Sequence, residues 1–197
     1  DMHFVKYLFR VKRQIAMPLL TEQELGGIPF ASALMHLLSI DKVNDLYDRN
    51  SDSQGPEFAS AVLKDIGVEY EIRNPEVLQN LPDGPFITIS NHPYGHIDGV
   101  MLVDLFGHIR PDYKVMVNKF LGRIEALGDN FICVTPTIGE RTAPTKDSIQ
   151  GIKDALSHVR NNGALGLFPA GAISDLSLQD RCISDREWQE PVIRLIK

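Results

Sequence analysis

Four short apolar runs, "PFITIS" (85–90), "YKVMVN" (113–118), "NFICVTP" (130–136) and "GALGLFP" (163–169), recur along the chain with helix-period segments between them. Strands apolar on both faces need cover on both sides, which is the situation of a parallel sheet between helices. The segments "DGVMLVDLFGHI" and "TKDSIQGIKDALSHVRNN" repeat their apolar residues at three and four spacing, as amphipathic helices do. The alternation predicts an α/β fold with a mostly parallel or mixed central sheet flanked by helices. Upstream, "PEFASAVLKDIG" reads as a helix stopping on Gly67, and the alternating "VEYEI" (68–72) as a further strand. Residues 1–54 carry helical patterns without strands and end on the turn-rich "SDSQGP", so an N-terminal helical segment is expected before an α/β domain over 55–197.

Composition narrows the partners. A chain of 197 residues suffices for one sizeable core. A net charge of −6 argues against nucleic acid, because phosphate binding needs a broad basic surface. Cys133 and Cys182 lack CxxC spacing, so two reduced thiols are expected rather than a disulfide framework or a cysteine zinc site. No apolar run approaches the ~20 residues of a spanning helix, and the opening twenty residues lack a secretory signal pattern. A cytoplasmic location is expected. In that opening, Phe4, Leu8, Phe9 and Ile15 alternate with Lys6, Arg10, Lys12 and Arg13. The pattern fits a helix packed on the protein, or one lying peripherally on the inner face of an anionic membrane. The start at Asp1 and the helix-like ending "EWQEPVIRLIK" suggest a piece of a longer protein.

Chemistry concentrates where two of the runs end. "SNHPYGHIDG" (90–99) places Asn91, His92, Tyr94, His96 and Asp98 after the first run, and "FPAGAISD" (168–175) follows the last. Ligands of open α/β sheets collect at the carboxyl ends of strands, so both stretches are expected to line one cleft. A histidine serves as a general base when one ring nitrogen faces the proton and the other donates to a carboxylate. Five residues separate His92 from Asp98, and Pro93 and Gly95 call for a tight turn that brings the carboxylate back onto the ring. The alternatives are a polar turn without chemistry, or a metal site of His92, His96 and Asp98 serving a hydrolase. The latter requires a helix running across Pro93 and Gly95. Backbone N–H groups around Gly171 can cradle an oxyanion, while Ser174 and Asp175 are placed to cap a following helix.

The order "SNHPYGHIDG" then "LFPAGAIS" resembles the first and third motifs of the glycerolipid acyltransferase superfamily, and the "NHPxGxxDG" form is more similar to its hemolysin-named branch of lysophospholipid and amino-acid-lipid acyltransferases. The helix-strand unit "FASAVLKDIGVEYEI" also resembles that branch. The resemblance implies an O-acyltransferase moving an acyl group from acyl-CoA or acyl carrier protein to a hydroxyl of a lipid acceptor, with no further cofactor and no metal. His92 would be the base and Asp98 its partner, with Asn91 and Phe168, Pro169, Ala170 and Gly171 shaping the acceptor or oxyanion region. Lys119, Arg123 and Arg141 are candidates for the donor's phosphates. Without the resemblance, a lipid-binding module without turnover stands beside the enzyme. The chain departs from the glycerophosphate branch in having five rather than four residues between His92 and Asp98, Ala170 in place of an acid, and Val134 in place of an arginine. The fourth motif would lie beyond Lys197. Those changes make glycerol-3-phosphate a poor expected acceptor.

Overall fold

The computed structural model describes residues 40–135, 146–177 and 181–196. The amphipathic opening, most of "FASALMHLLSI" and Arg141 lie outside the described residues. Helices α1 (Ile40–Asn50), α2 (Gly55–Asp65) and the short α3 (Glu76–Gln79) precede strand β1 (Phe86–Ile89). Helix α4 (His96–Ile109) leads to β2 (Lys114–Asn118), and two 3-10 turns, Lys119–Arg123 and Glu125–Asn130, lead to β3 (Phe131–Val134). Helix α5 (Lys146–Arg160) precedes β4 (Ala164–Leu167). A hairpin of β5 (Asp175–Ser177) and β6 (Cys182–Ser184) follows, then α6 (Glu190–Ile196).

All three strand pairings in the main sheet are parallel, in the order β1-β4-β2-β3. Side chains of a strand alternate between faces, and here each face has its own core. Phe86, Val115, Val117, Phe131 and Ala164 join α1, α2 and α4 on one side, with Phe58, Leu63 and Val103. Ile87, Met116, Ile132, Leu165 and Leu167 meet α5 and α6 on the other, against Ala155, Val192 and Leu195. Helix α1 is tied to this body by Tyr47, whose ring packs at 5.5 Å on Phe58. The apolar-on-both-faces pattern of the four runs is thus the signature of a two-sided sheet. β4, buried at every residue, is internal to it.

Two expectations fail. "VEYEI" forms no strand: residues 68–72 are irregular and largely exposed. Val68 packs on the core and Tyr70 donates to Asp104 Oδ2 at 2.6 Å, so the segment is held by α4 through side chains rather than by a sheet edge. Alternation alone cannot make a strand without a backbone partner. Likewise Ser174 and Asp175 cap no helix, because the chain after β4 enters the antiparallel β5–β6 hairpin, Asp175 opposite Ser184.

At the amino-terminal end of the sheet, Arg110 acts as a pin. Its guanidinium donates to both Asp112 carboxylate oxygens at 2.9 Å and to the carbonyls of Pro82, Gly84 and Asn162, and it lies over Phe86. Burial alone would raise the Asp112 pKa, but hydrogen bonds from Arg110 and from the Ala164 N–H outweigh it and hold the carboxyl below its usual range. A depressed native pKa contributes stability that is present above the unfolded value of about 3.9 and lost as pH falls through the native one. Arg110→Ala is expected to lose about 1–2 kcal/mol in denaturant titration at pH 7, mostly through its hydrogen bonds to the Pro82, Gly84 and Asn162 carbonyls, because the Asp112 side chain is 40% exposed and solvent screens the ion pair. The gap from wild type should narrow below about pH 4. A constant gap across that range would show that the ion pair contributes nothing.

Candidate active site

β1 and β4 are neighbours in register, Ile89 beside Leu167, and the Ser90 N–H continues the pairing to the Leu167 carbonyl at 3.0 Å. From this shared end the chain leaves β1 for α4 on one face. After β4 it reaches α6 on the other. A crevice opens where neighbouring strands send their connections to opposite sides. The two unusual stretches meet there, with the His92 ring stacked on Phe168 at 4.2 Å between centroids and 28° between planes.

Pro93, Tyr94 and Gly95 form a turn, and α4 starts only at His96. Gly95 sits at φ 65°, and a Cβ there would come within 3.0 Å of Ile173. The turn returns the chain so that His92 Nδ1 lies 3.0 Å from Asp98 Oδ2, which also accepts the Tyr94 N–H at 2.9 Å. Asp98 stands in the first turn of α4, where the helix dipole favours negative charge. Its side chain is only 7% exposed, and that of His92 17%. An ionised carboxylate only accepts hydrogen bonds, so the proton of the neutral ring resides on Nδ1 and Nε2 is the basic nitrogen.

His92 lines a largely apolar cavity of about 310 Å³ reaching between the carboxyl ends of β2, β3 and β4 and helices α5 and α6. Met116, Val134, Ile152, Leu167, Val192 and Leu195 supply apolar walls, and His96 and Asn118 polar ones. Of the corner after β4, Phe168 and Gly171 face the cavity, while Pro169 and Ala170 are buried without lining it. Gly171 sits at φ 64°, a backbone region that side chains disfavour, and a Cβ would lie 2.3 Å from Gln189 Nε2. Gln189 ties the corner to the start of α6 by donating from its side chain to the Ala170 carbonyl and from its backbone to that of Pro169.

Asn91 is exposed and does not line the cavity. Lys119 and Arg123 are exposed on the 3-10 turn after β2, outside the cavity lining, with Arg123 over the Phe120 ring. The metal alternative required His92 and His96 on one helical face, but α4 begins at His96 and Asp98 is committed to Nδ1 of His92. Among the described residues no group of three or more His, Cys, Asp or Glu side chains could hold a metal ion. Asp185 and Gln189, which touch the two stretches directly, have no sequence signal. They stand in the unpatterned "SDREWQE", far along the chain from His92.

Residues 34–148, more than half of the chain, match the acyltransferase family model. The chain belongs to the acyltransferase family. The matched segment of this family member contains His92 and Asp98, while the Phe168–Gly171 corner lies beyond it. It is similar to the lyso-glycine lipid O-acyltransferase of Bacteroides thetaiotaomicron, with 27% identity over 82% of this chain and 56% of that protein. It is also similar to the lyso-glycine lipid O-acyltransferase of Phocaeicola vulgatus, with 26% identity over 82% of this chain and 54% of that protein. The chain thus spans about half the length of the curated relatives it matches. No solved structure matches it. Among the described residues, no helix of this acyltransferase-family chain is long and apolar enough to cross a membrane.

Proposed function

We propose that this chain is the acyl-transferring part of a lipid O-acyltransferase that moves a fatty acyl group from the thioester of acyl-CoA or acyl carrier protein to a hydroxyl of a lyso-glycine-type lipid. The observation that carries this reading is the Asp98-supported His92 ring at the wall of an apolar cavity, stacked against the Phe-Pro-Ala-Gly corner. Nε2 of His92 takes the proton of the acceptor hydroxyl as its oxygen attacks the thioester carbonyl. Asp98 holds the ring in the required tautomer and stabilises the imidazolium. The tetrahedral oxyanion collapses with cleavage of the carbon–sulfur bond, the thiolate leaves and takes the proton from His92, and the ester remains. No acyl-enzyme is formed. The apolar walls suit an acyl chain, which gains about 0.8 kcal/mol per methylene buried. The acceptor class follows the two named relatives. Val134 supports it by placing an alkyl group in the cavity wall, and among the described residues the lining holds no Lys or Arg to bind a phosphate. Attachment to a membrane surface is part of the same proposal, since the acceptor is a lipid.

The test is thiol release by the full-length protein from acyl-CoA and acyl carrier protein, offered lyso-glycine lipid, lysophospholipids and glycerol-3-phosphate, with products identified by mass spectrometry. Acceptor-dependent release and an acylated glycine lipid are expected. Lipid binding without release from either donor would instead identify a binding module and end the enzymatic reading.

A further inference from the structure

Both backbone polar groups of His92 are held by residues from the distant β5–β6 hairpin. The His92 N–H donates to Asp185 Oδ1 at 3.1 Å, and the His92 carbonyl accepts the Ser174 N–H at 2.9 Å. The Ser174 hydroxyl donates to the same Asp185 oxygen, which closes a ring of three hydrogen bonds. Ser174 and Asp185 are the residues immediately outside the paired ends Asp175 and Ser184, so the root of the hairpin forms the grip. We infer that Asp185 is a positioning residue for His92, fixing the imidazole against the Phe168 corner through the peptide rather than through the ring.

The physical case is one of division of labour. The Asp98 bond is local, within one turn, and sets which nitrogen carries the proton. It does not set where the whole turn stands relative to the β4 corner. Ser90 is the last residue that the sheet ladder holds, so the peptide of His92 is fixed by other means. An ionised carboxylate accepting two donors is stronger than a neutral contact and orients both. Because reacting atoms must be placed within a fraction of an ångström, a displacement of about 1 Å can cost about 100-fold in rate.

This inference rests on the proposed function, and its test separates the two. In the full-length protein, Asp185→Ala is expected to lower kcat about 10- to 100-fold with KM for donor and acceptor little changed. Asp185→Asn, whose amide oxygen can still accept from His92 and Ser174, is expected to recover most of that loss. In substrate-free protein the nitrogen-edited NMR signals of the His92 ring should shift in Asp185→Ala and stay near wild type in Asp185→Asn. Wild-type kcat and unshifted ring signals in Asp185→Ala would overturn the inference. So would a lowered melting temperature shared equally by the Ala and Asn variants without a change in kcat. Absence of transfer in the wild type would overturn the functional reading, and the ring signals would still decide whether Asp185 positions His92.

Discussion

His92→Ala is expected to reduce acyl transfer about 10³- to 10⁴-fold, read as the rate of acceptor-dependent thiol release. The side chain is an imidazole at the cavity whose Nδ1 is paired to a buried carboxylate, so under the proposed mechanism its loss removes the proton acceptor that makes a hydroxyl nucleophilic at neutral pH. Fold and binding should survive. Asp98 keeps the Tyr94 N–H, and the lost stacking on Phe168 is worth about 1 kcal/mol. The loss should therefore fall on kcat, with KM for the donor nearly unchanged. Equal turnover by wild type and His92→Ala, at matched folded protein, would remove His92 from the mechanism.

Asp98→Asn should lower the same rate about 10²- to 10⁴-fold while leaving the melting temperature close to that of wild type. The amide has nearly the shape of the carboxylate, and its oxygen can still accept the Tyr94 N–H, but the negative charge that would stabilise the imidazolium of the proposed mechanism is gone. If the amide turns its NH₂ toward the ring, Nδ1 must accept and the proton moves to Nε2, the nitrogen needed as base. Either orientation impairs catalysis without opening a cavity. Asp98→Ala should add a stability loss of about 1–3 kcal/mol, because the Tyr94 N–H in this part-buried turn would be left unpaired. Comparing melting curves of the Asn and Ala variants separates the chemical role from the structural one. An Asp98→Asn protein with wild-type kcat would show the carboxylate to be a capping group alone.

How much was legible depends on the range over which each constraint acts. The His92–Asp98 pairing was readable because Pro93 and Gly95 leave few local paths, and the turn closes within seven residues. The four sheet strands were readable from composition, since a strand between two helical layers must be apolar on both faces. "VEYEI" misled because alternation describes a half-buried surface, and the neighbour that would complete it as a strand is not encoded locally. The hairpin after β4 was missed for a related reason, its strands being three residues each and exposed at most positions.

From the order of its residues alone, this chain determined that its core is a helix-covered sheet, and that an imidazole and a carboxylate meet in a bend after one strand. Both follow from interactions between near neighbours, burial periodicity and turn stereochemistry. The tertiary structure decided that β4 lies beside β1, so that Phe168 stacks on His92. It also placed Lys119 and Arg123 away from the cavity lining and brought Asp185 from ninety-three residues away to grip the His92 peptide. Those outcomes depend on strand order and on which groups find partners once the layers have packed, and a linear pattern holds no signal for either.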